Sequence, residues 1–284
     1  MNTSKVAIVT GGSGGIGRCT AMALAQAGCR VYEFSRREKA PTPGVEHLTA
    51  DMTDEQSVQA AVAEVERREG RIDILVCNAG FGISGAAEYT APEDAHAQLE
   101  LNLYGADRAA RAVIPVMRAQ GGGRIVCMSS IAAILPIPFQ LWYSVSKAAI
   151  NAYVLALQNE VRPFGISVCA VMPGDIASGF TANRKKTLRE DAYGGRGGPG
   201  AVGRAGHGGR GGGAGGGGGP GLTGVGRGRP PAGLAVKQGM KAGDIDPRCE
   251  ARHCFTVSDK ARAIGGGVLE GLLYFGKEKG LWSV

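Results

Sequence analysis

The sequence predicts an α/β fold: a doubly wound parallel sheet in three layers, helices on both faces. Three observations predict it. Short β-branched apolar runs alternate with helix-like segments from residue 5 to residue 193. A glycine-rich turn follows the first run and opens the first helix. The polar residues able to do chemistry come directly after strand-like runs. Strands alternating with helices make βαβ units, which give a parallel sheet buried on both faces. Ligands of such sheets sit beyond the carboxyl ends of the strands, near the switch point.

The elements follow in order. Val6–Thr10 reads as a buried strand, and Ile16–Ala27 as a helix closed by Gly28. Arg30–Phe34 and the short Val45–Ala50 are the second and third strands. Thr53-Asp54-Glu55-Gln56 has the form of a capping box, with Thr53 as N-cap and Gln56 three residues on. The helix behind it places Val58, Ala61, Val62 and Val65 on one face. Ile72–Cys77 is the fourth strand, and one long helix is expected from about Glu93 to Ala119. Arg124–Met128 is the fifth strand, Tyr143–Val161 a long helix and Ser167–Val171 the sixth strand.

Thr10-Gly11-Gly12-Ser13-Gly14-Gly15-Ile16-Gly17 links the first strand to the first helix. Glycines let a backbone turn tightly and approach a pyrophosphate without a Cβ clash. The helix N-terminus adds free N–H groups and a partial positive charge. A GxGxxG is weak evidence alone, but its place between strand and helix strengthens it greatly. The second strand ends Glu33-Phe34-Ser35-Arg36-Arg37. An acidic residue at this strand end would bind the ribose 2′-OH of NAD. Ser35 stands there instead, with arginines after it, and a guanidinium pairs well with a phosphate. NADP(H) is therefore expected over NAD(H), which stays the alternative, with Arg36 on the 2′-phosphate.

At this point the chain resembles the short-chain dehydrogenase/reductase family over about residues 4–193. The matching motifs are Thr10-Gly11-x-x-x-Gly15-x-Gly17, Asp51, Asn78-Ala79-Gly80, Asn102, Ser130, Tyr143-x-x-x-Lys147 and Pro173-Gly174, in the family's order and close to its spacing. The resemblance implies a Rossmann-like domain and reversible carbonyl reduction or alcohol oxidation. It implies a cofactor set of Gly11, Ser13, Gly15, Ile16, Gly17, Ser35, Arg36, Asp51, Met52, Asn78, Ala79, Gly80, Tyr143, Lys147, Pro173, Gly174, Ile176 and Ser178. Asp51 is expected near the adenine; Ile176 and Ser178 are expected at the nicotinamide carboxamide. Ser178 stands where the family often has threonine. The resemblance also implies a ribose contact for Lys147 and, for Asn102, a water that links the lysine to solvent. Homo-dimers or tetramers are expected through the helices around Asn102 and Tyr143.

The chemistry explains the residue types. Tyr143 and Lys147 lie at i and i+4, on one helix face. A free tyrosine has a pKa near 10 and is a poor base at neutral pH. A nearby ammonium is expected to lower it, so that Tyr143 can exchange a proton with the substrate oxygen. The Ser130 hydroxyl can hold and polarise that oxygen. Ser129 is its rival, and the family's serine-to-tyrosine spacing favours Ser130. Ile134, Leu135, Ile137 and Phe139 precede Tyr143 and suggest an apolar wall. A hydrophobic carbonyl or alcohol, steroid-like or lipid, fits it.

Composition breaks after residue 193. The 48 glycines of the 284 residues are well over twice the usual ~7%, and they concentrate in residues 194–233 with Arg, Pro and Ala. Such a segment buries too little apolar surface to offset its ordering entropy, and disorder is expected there. Residues 234–284 form a tail in which Val268–Phe275 reads as a short helix or strand. The abrupt bias fits a reading frame shifted from about residue 196; the alternative is a genuine low-complexity insertion. A disrupted substrate cover and last strand would leave a cofactor-binding protein with little turnover, the competing reading. The net charge of +7 raises nucleic-acid binding as a third class. The Arg-Gly-Gly pieces at Arg196 and Arg210 lack the interleaved aromatics that stack bases, which disfavours it. Cys249, His253 and Cys254 lack a second ligand pair, so no metal site is expected. The seven cysteines show no disulfide spacing, no run spans a bilayer and no signal peptide precedes Val6, so a cytoplasmic protein is expected.

Overall fold

The computed structural model describes residues 4–37, 41–174, 180, 184–187, 225–227 and 244–246. Six parallel strands form the central sheet. They are β1 (Val6–Thr10), β2 (Arg30–Ser35), β3 (Val45–Thr49), β4 (Ile74–Cys77), β6 (Gly123–Met128) and β7 (Ile166–Val171), with β5 (Ile83–Ser84) lying outside that sheet. Their order is β3-β2-β1-β4-β6-β7, so the direction of winding reverses between β1 and β4. That reversal opens the crevice in which doubly wound sheets bind ligands.

Helices α1 (Gly15–Gln26), α2 (Glu55–Glu69), α3 (Pro92–Leu99), α4 (Gly105–Ala119) and α5 (Leu141–Val161) complete the described frame. The two-residue alternation of the strands sorts them into layers. Ile8, Phe34, Leu75, Ile125 and Cys127 point to the face covered by Val58, Val62 and Val65 of α2, Val113 and Met117 of α4, and Ile150 of α5. Ala7, Val9, Ile74, Val76 and Val126 point to the opposite face, where Ala21 and Leu24 of α1 cover them. Burying a side chain of this kind fully contributes about 2 kcal/mol, so the strand sequence itself fixes which helix goes to which side.

Three expectations are corrected. The N-cap of α2 is Asp54, whose carboxylate accepts from the Gln56 amide at 2.9 Å. Thr53 cannot serve, because its amide and hydroxyl both donate to Asp51 Oδ1, at 2.9 and 2.7 Å. The single helix expected over 93–119 is broken into α3, a π turn at Glu100–Tyr104 and α4. The fourth strand starts at Ile74 rather than Ile72, since Gln120 takes both backbone groups of Ile72.

Past β7 the described chain returns once to the domain. Strand β8 (Lys185–Lys186) pairs in parallel with β5. In the segment expected to be disordered, Val225–Arg227 is a strand, β9, paired antiparallel with β10 (Asp244–Asp246). The rest of residues 194–233, most of the tail, Val268–Phe275, Cys249, His253 and Cys254 lie outside the described residues, as do Ile176 and Ser178. Among the described residues no metal-binding cluster occurs, and no helix is long and apolar enough to cross a membrane.

The capping assignment makes a prediction. Asp54→Ala should cost about 1 kcal/mol in urea unfolding. Thr53→Ala should cost distinctly less, because it leaves the cap in place.

Candidate active site

The crevice is built around Thr10, the last residue of β1. Its buried hydroxyl accepts from the amides of Asn78 and Ala79, both at 3.0 Å. In return the Asn78 side-chain amide donates to the carbonyls of Thr10 (3.0 Å) and Gly11 (3.2 Å). The loops after β1 and β4 are thereby laced together across the switch point. Space around them is tight. A Cβ on Gly17 would stand 2.4 Å from both Asn78 Nδ2 and Gly11 O, so only glycine fits there. Gly11 and Gly15 take positive φ (65° and 55°), which glycine adopts without strain.

This cradle suits an anion. Helix α1 starts at Gly15 behind Gly14, with no side-chain cap and no acidic residue in its first turn. Its first N–H groups are left for a ligand phosphate. Ser13 and Ile16 lie half-buried along the same turn. At the end of β2, Ser35 hydrogen-bonds Glu33 (3.1 Å) and the Arg37 carbonyl (3.0 Å). Glu33 turns under Gly12, where His47 also engages it. Arg36 is exposed, and its charge reaches Asp51. The Thr53 amide and hydroxyl, with Arg36 and Arg108, hold the Asp51 carboxyl below its ordinary range against the opposing effect of burial. Met52 is buried against Gly105. Of the expected cofactor residues, the structure thus gathers Gly11 to Gly17, Ser35, Arg36, Asp51, Met52 and Asn78 to Gly80 on one rim.

The second half of the site lies at the end of β6. The two serines separate cleanly. Ser129 donates to the Lys147 carbonyl at 3.1 Å and holds α5 to the sheet. Ser130 caps the next turn through the Ala132 amide and hydrogen-bonds the Tyr143 phenol. Pro173 joins the same cluster by accepting from the Ile131 amide at 3.0 Å, with Gly174 exposed beside it. Lys147 is buried one turn beyond Tyr143, with its ammonium 5.8 Å from the Tyr143 ring centre and donating to the Met128 carbonyl at 2.6 Å.

The electrostatics correct one expectation. Burial raises the Tyr143 pKa above its ordinary value of 10, and this outweighs the lowering by the Ser130 hydrogen bond and by the charge of Arg184. The net direction is upward, against the lowering expected from a nearby ammonium. Burial pushes Lys147 itself down to about 8, with a small opposing contribution from Cys127. Desolvation disfavours a phenolate and an ammonium alike, which keeps the phenol protonated and lets Lys147 lose its proton only as the pH rises past about 8.

Asn102 lies in the π turn, which is closed by the Gly105 amide donating to the Glu100 carbonyl. Its side chain is fully used. The oxygen accepts from the Phe81 amide, and the nitrogen donates to the Phe81 carbonyl and to Ser146 Oγ, all at 3.0 Å. Ser146 passes the contact on to the Tyr143 carbonyl at 2.8 Å. Asn102 therefore ties the loop after β4 to the helix that carries Tyr143. A π turn shifts the helix register locally and often marks a functional position.

Two residues of the site were missed in the sequence. Phe180 lies over Tyr143 with ring centres 5.4 Å apart, and the Arg184 guanidinium lies 5.6 Å from the Phe180 ring centre. Both pack at Gly82, and Arg184 directly precedes β8, which docks through main-chain bonds from Lys185 to Gly82 (2.9 Å) and from Thr187 to Ser84 (3.1 Å) and through a Lys185–Asp94 ion pair. Gly82 and Gly85 make room for this return: a Cβ on Gly85, already at φ 148°, would stand 1.9 Å from Thr187 Oγ1. Nothing in the local sequence signals a pairing a hundred residues away between two-residue strands.

Removing the Asn102 amide orphans the backbone N–H of Phe81, whose carbonyl keeps only Gln98, and strips Ser146 of its donor. Asn102→Ala should cost about 2 kcal/mol in denaturant unfolding. A loss below about half a kcal/mol would contradict its bridging role.

Comparison with known proteins agrees with this geometry. Residues 5–189 match the model of the short chain dehydrogenases. A 3-ketodihydrosphingosine reductase of Bacteroides thetaiotaomicron is 41% identical over 180 residues, covering 63% of this chain and 67% of that protein. A 3-oxoacyl-[acyl-carrier-protein] reductase of Synechocystis is 34% identical over 192 residues, covering 64% of this chain and 78% of its own. The crystal structure of a short-chain dehydrogenase from Streptomyces avermitilis superposes with a TM-score of 0.63 at 35% identity, over 68% of this chain and 74% of that one. The laced crevice, the Ser130–Tyr143–Lys147 cluster and the extent of the match lead to one conclusion: the chain belongs to the short-chain dehydrogenase/reductase family of NAD(P)-binding oxidoreductases acting on CH–OH and carbonyl groups.

Proposed function

We propose that the chain interconverts an apolar carbonyl compound and its alcohol with NADP(H), with Tyr143 as the proton donor and acceptor. The observation that carries this is the Tyr143 phenol, held at Ser130 and covered by Phe180. The bound nicotinamide supplies or accepts the hydride. The residues do the rest. Ser130 orients the substrate oxygen at the phenol, and Tyr143 delivers a proton to it as the alcohol forms. A pKa raised by burial keeps Tyr143 protonated at neutral pH, the state that carbonyl reduction requires. Lys147, near 8, can exchange a proton in the working range and would hold the nicotinamide ribose. Asn102 positions Tyr143 through Ser146.

NADP(H) is favoured over NAD(H) by Ser35 and Arg36 at the end of β2. Glu33, the carboxylate nearby, is turned under Gly12 and engaged by His47 and Ser35, which leaves Arg36 to meet a 2′-phosphate. An apolar substrate is favoured by a cavity of about 520 Å³ whose lining includes Ala86, Ala133, Ile137, Phe139, Leu141 and Val145. It adjoins both Ser130 and Tyr143 in sequence, and the substrate named for the Bacteroides relative is a long-chain ketone in kind. Along α5, Val145, Ala148, Ala152 and Leu155 form an exposed apolar stripe at helical spacing, with Leu155 70% exposed. A homo-dimer or tetramer would bury it. The substrate, NADP(H) and a second copy of the chain are the expected partners, in the cytoplasm.

Two measurements test this reading. Tyr143→Phe should lower NADPH oxidation with long-chain ketones at least ~100-fold and leave NADPH affinity nearly unchanged; activity that survives the change removes the mechanism. Arg36→Ala should weaken NADPH binding about tenfold or more with little effect on NADH. Equal losses for the two cofactors would contradict the assignment of Arg36.

A further inference from the structure

The end of the crevice where Arg36 stands holds a carboxylate that a phosphate ligand does not call for. Glu33 sits inside β2, between Tyr32 and Phe34, and is buried. Strand alternation turns it to the face that carries Val31 and is covered by α1. An apolar side chain would pack there with no charge to compensate. The glycine-rich turn lies directly on Glu33: a Cβ on Gly12 would stand 2.6 Å from Glu33 Cβ and 3.4 Å from its Oε2. Oε2 is buried in that place with no hydrogen-bond partner among the described residues.

All the compensation therefore falls on the other oxygen. Oε1 accepts from His47 Nδ1 at 2.5 Å and from Ser35 Oγ at 3.1 Å. An ionised carboxylate only accepts, so the imidazole presents Nδ1–H to it. His47 lies on β3 in register with Glu33, and its Nε2 is 3.2 Å from Thr49 Oγ1, so the ring is held on both sides. Ser35 has one hydroxyl hydrogen and divides it between Glu33 and the Arg37 carbonyl at 3.0 Å. His47 is thus the undivided donor to Glu33. The second carboxylate of this rim, Asp51, has donors of its own in the Thr53 amide and hydroxyl. Arg36 is exposed beside both.

We propose that His47 is a positioning residue for cofactor preference: by holding Glu33 it keeps the Arg36 end of the crevice open to a 2′-phosphate. The inference rests on the NADP(H) reading of Arg36 and names the group that makes it workable. A buried charge that loses its partner is left uncompensated, and it then repels any anion brought near. A 2′-phosphate brings up to about two negative charges to that end, where NAD(H) has a neutral hydroxyl. Loss of His47 therefore acts on the two cofactors unequally, and it acts through Glu33 alone.

The test measures binding of NADPH and NADH to the full chain by calorimetry and reads the ratio of the two affinities. His47→Ala should lower the NADPH-to-NADH ratio about fivefold or more. Glu33→Gln added to it should bring the ratio back, because a neutral amide no longer repels the phosphate. Adenosine 2′,5′-bisphosphate against 5′-AMP should show the same loss and recovery, since this pair differs only in the 2′-phosphate. A merely structural role in β3 would weaken both ligands together, without that recovery. His47→Phe, which keeps the ring volume, gives the same reading if His47→Ala folds poorly. An unchanged ratio in a folded variant, or no recovery on adding Glu33→Gln, overturns the inference and leaves the assignment of Arg36 standing. A ratio that Arg36→Ala fails to move instead removes the reading on which the inference rests.

Discussion

One hydroxyl holds the two halves of the crevice together. Thr10 ends β1, and through its Oγ1 it fixes the amides of Asn78 and Ala79 at the end of β4. Side chain and backbone are used reciprocally, since Asn78 returns two bonds to Thr10 and Gly11. A buried hydrogen bond contributes only about 1 kcal/mol net, yet leaving such groups unpaired costs more. The lacing is therefore close to all or none. It sets the distance between the phosphate-binding turn and the loop that leads to Phe81, and Phe81 is where Asn102 takes hold. From there the chain of contacts runs through Ser146 to the backbone of Tyr143. The glycine-rich cradle and Tyr143 are parts of one connected frame.

Within that frame burial governs the chemistry more than charge pairing does. Tyr143 and Lys147 are both pushed toward their neutral forms by desolvation. Under the proposed function this is a suitable resting state for carbonyl reduction, because a protonated phenol is what a carbonyl oxygen needs. The charged state becomes accessible only through groups placed around the phenol, and those come from three separate parts of the chain: the turn after β6, helix α5 and the segment at β8.

The parts that were legible in the sequence are those whose signal is local. The strand-turn-helix at Thr10–Gly17, the i,i+4 pair of Tyr143 and Lys147 and the serine after β6 each carry their meaning within a few residues. At the N-cap of α2 the sequence alone chose badly. Thr53 and Asp54 are both good N-caps, and Asp51 decides between them by occupying Thr53. A single π turn carries no sequence signature of its own, so the break at Asn102 within residues 93–119 was not legible. Burial of Tyr143 and Lys147 is a tertiary fact, and the direction in which each shifts could not be read without it. Phe180 and Arg184 reach the site only through a strand pairing a hundred residues apart in the chain.

That pairing is made of main-chain groups. Lys185 and Thr187 donate from the backbone to the backbone of Gly82 and Ser84, so most side chains on the returning segment are free to vary without undocking it. Gly85 is the exception, since a single methyl there would collide with Thr187. The consequence is evolutionary: the side chains of this segment can change by point substitution while its anchorage is inherited intact, and one glycine codon guards the anchorage.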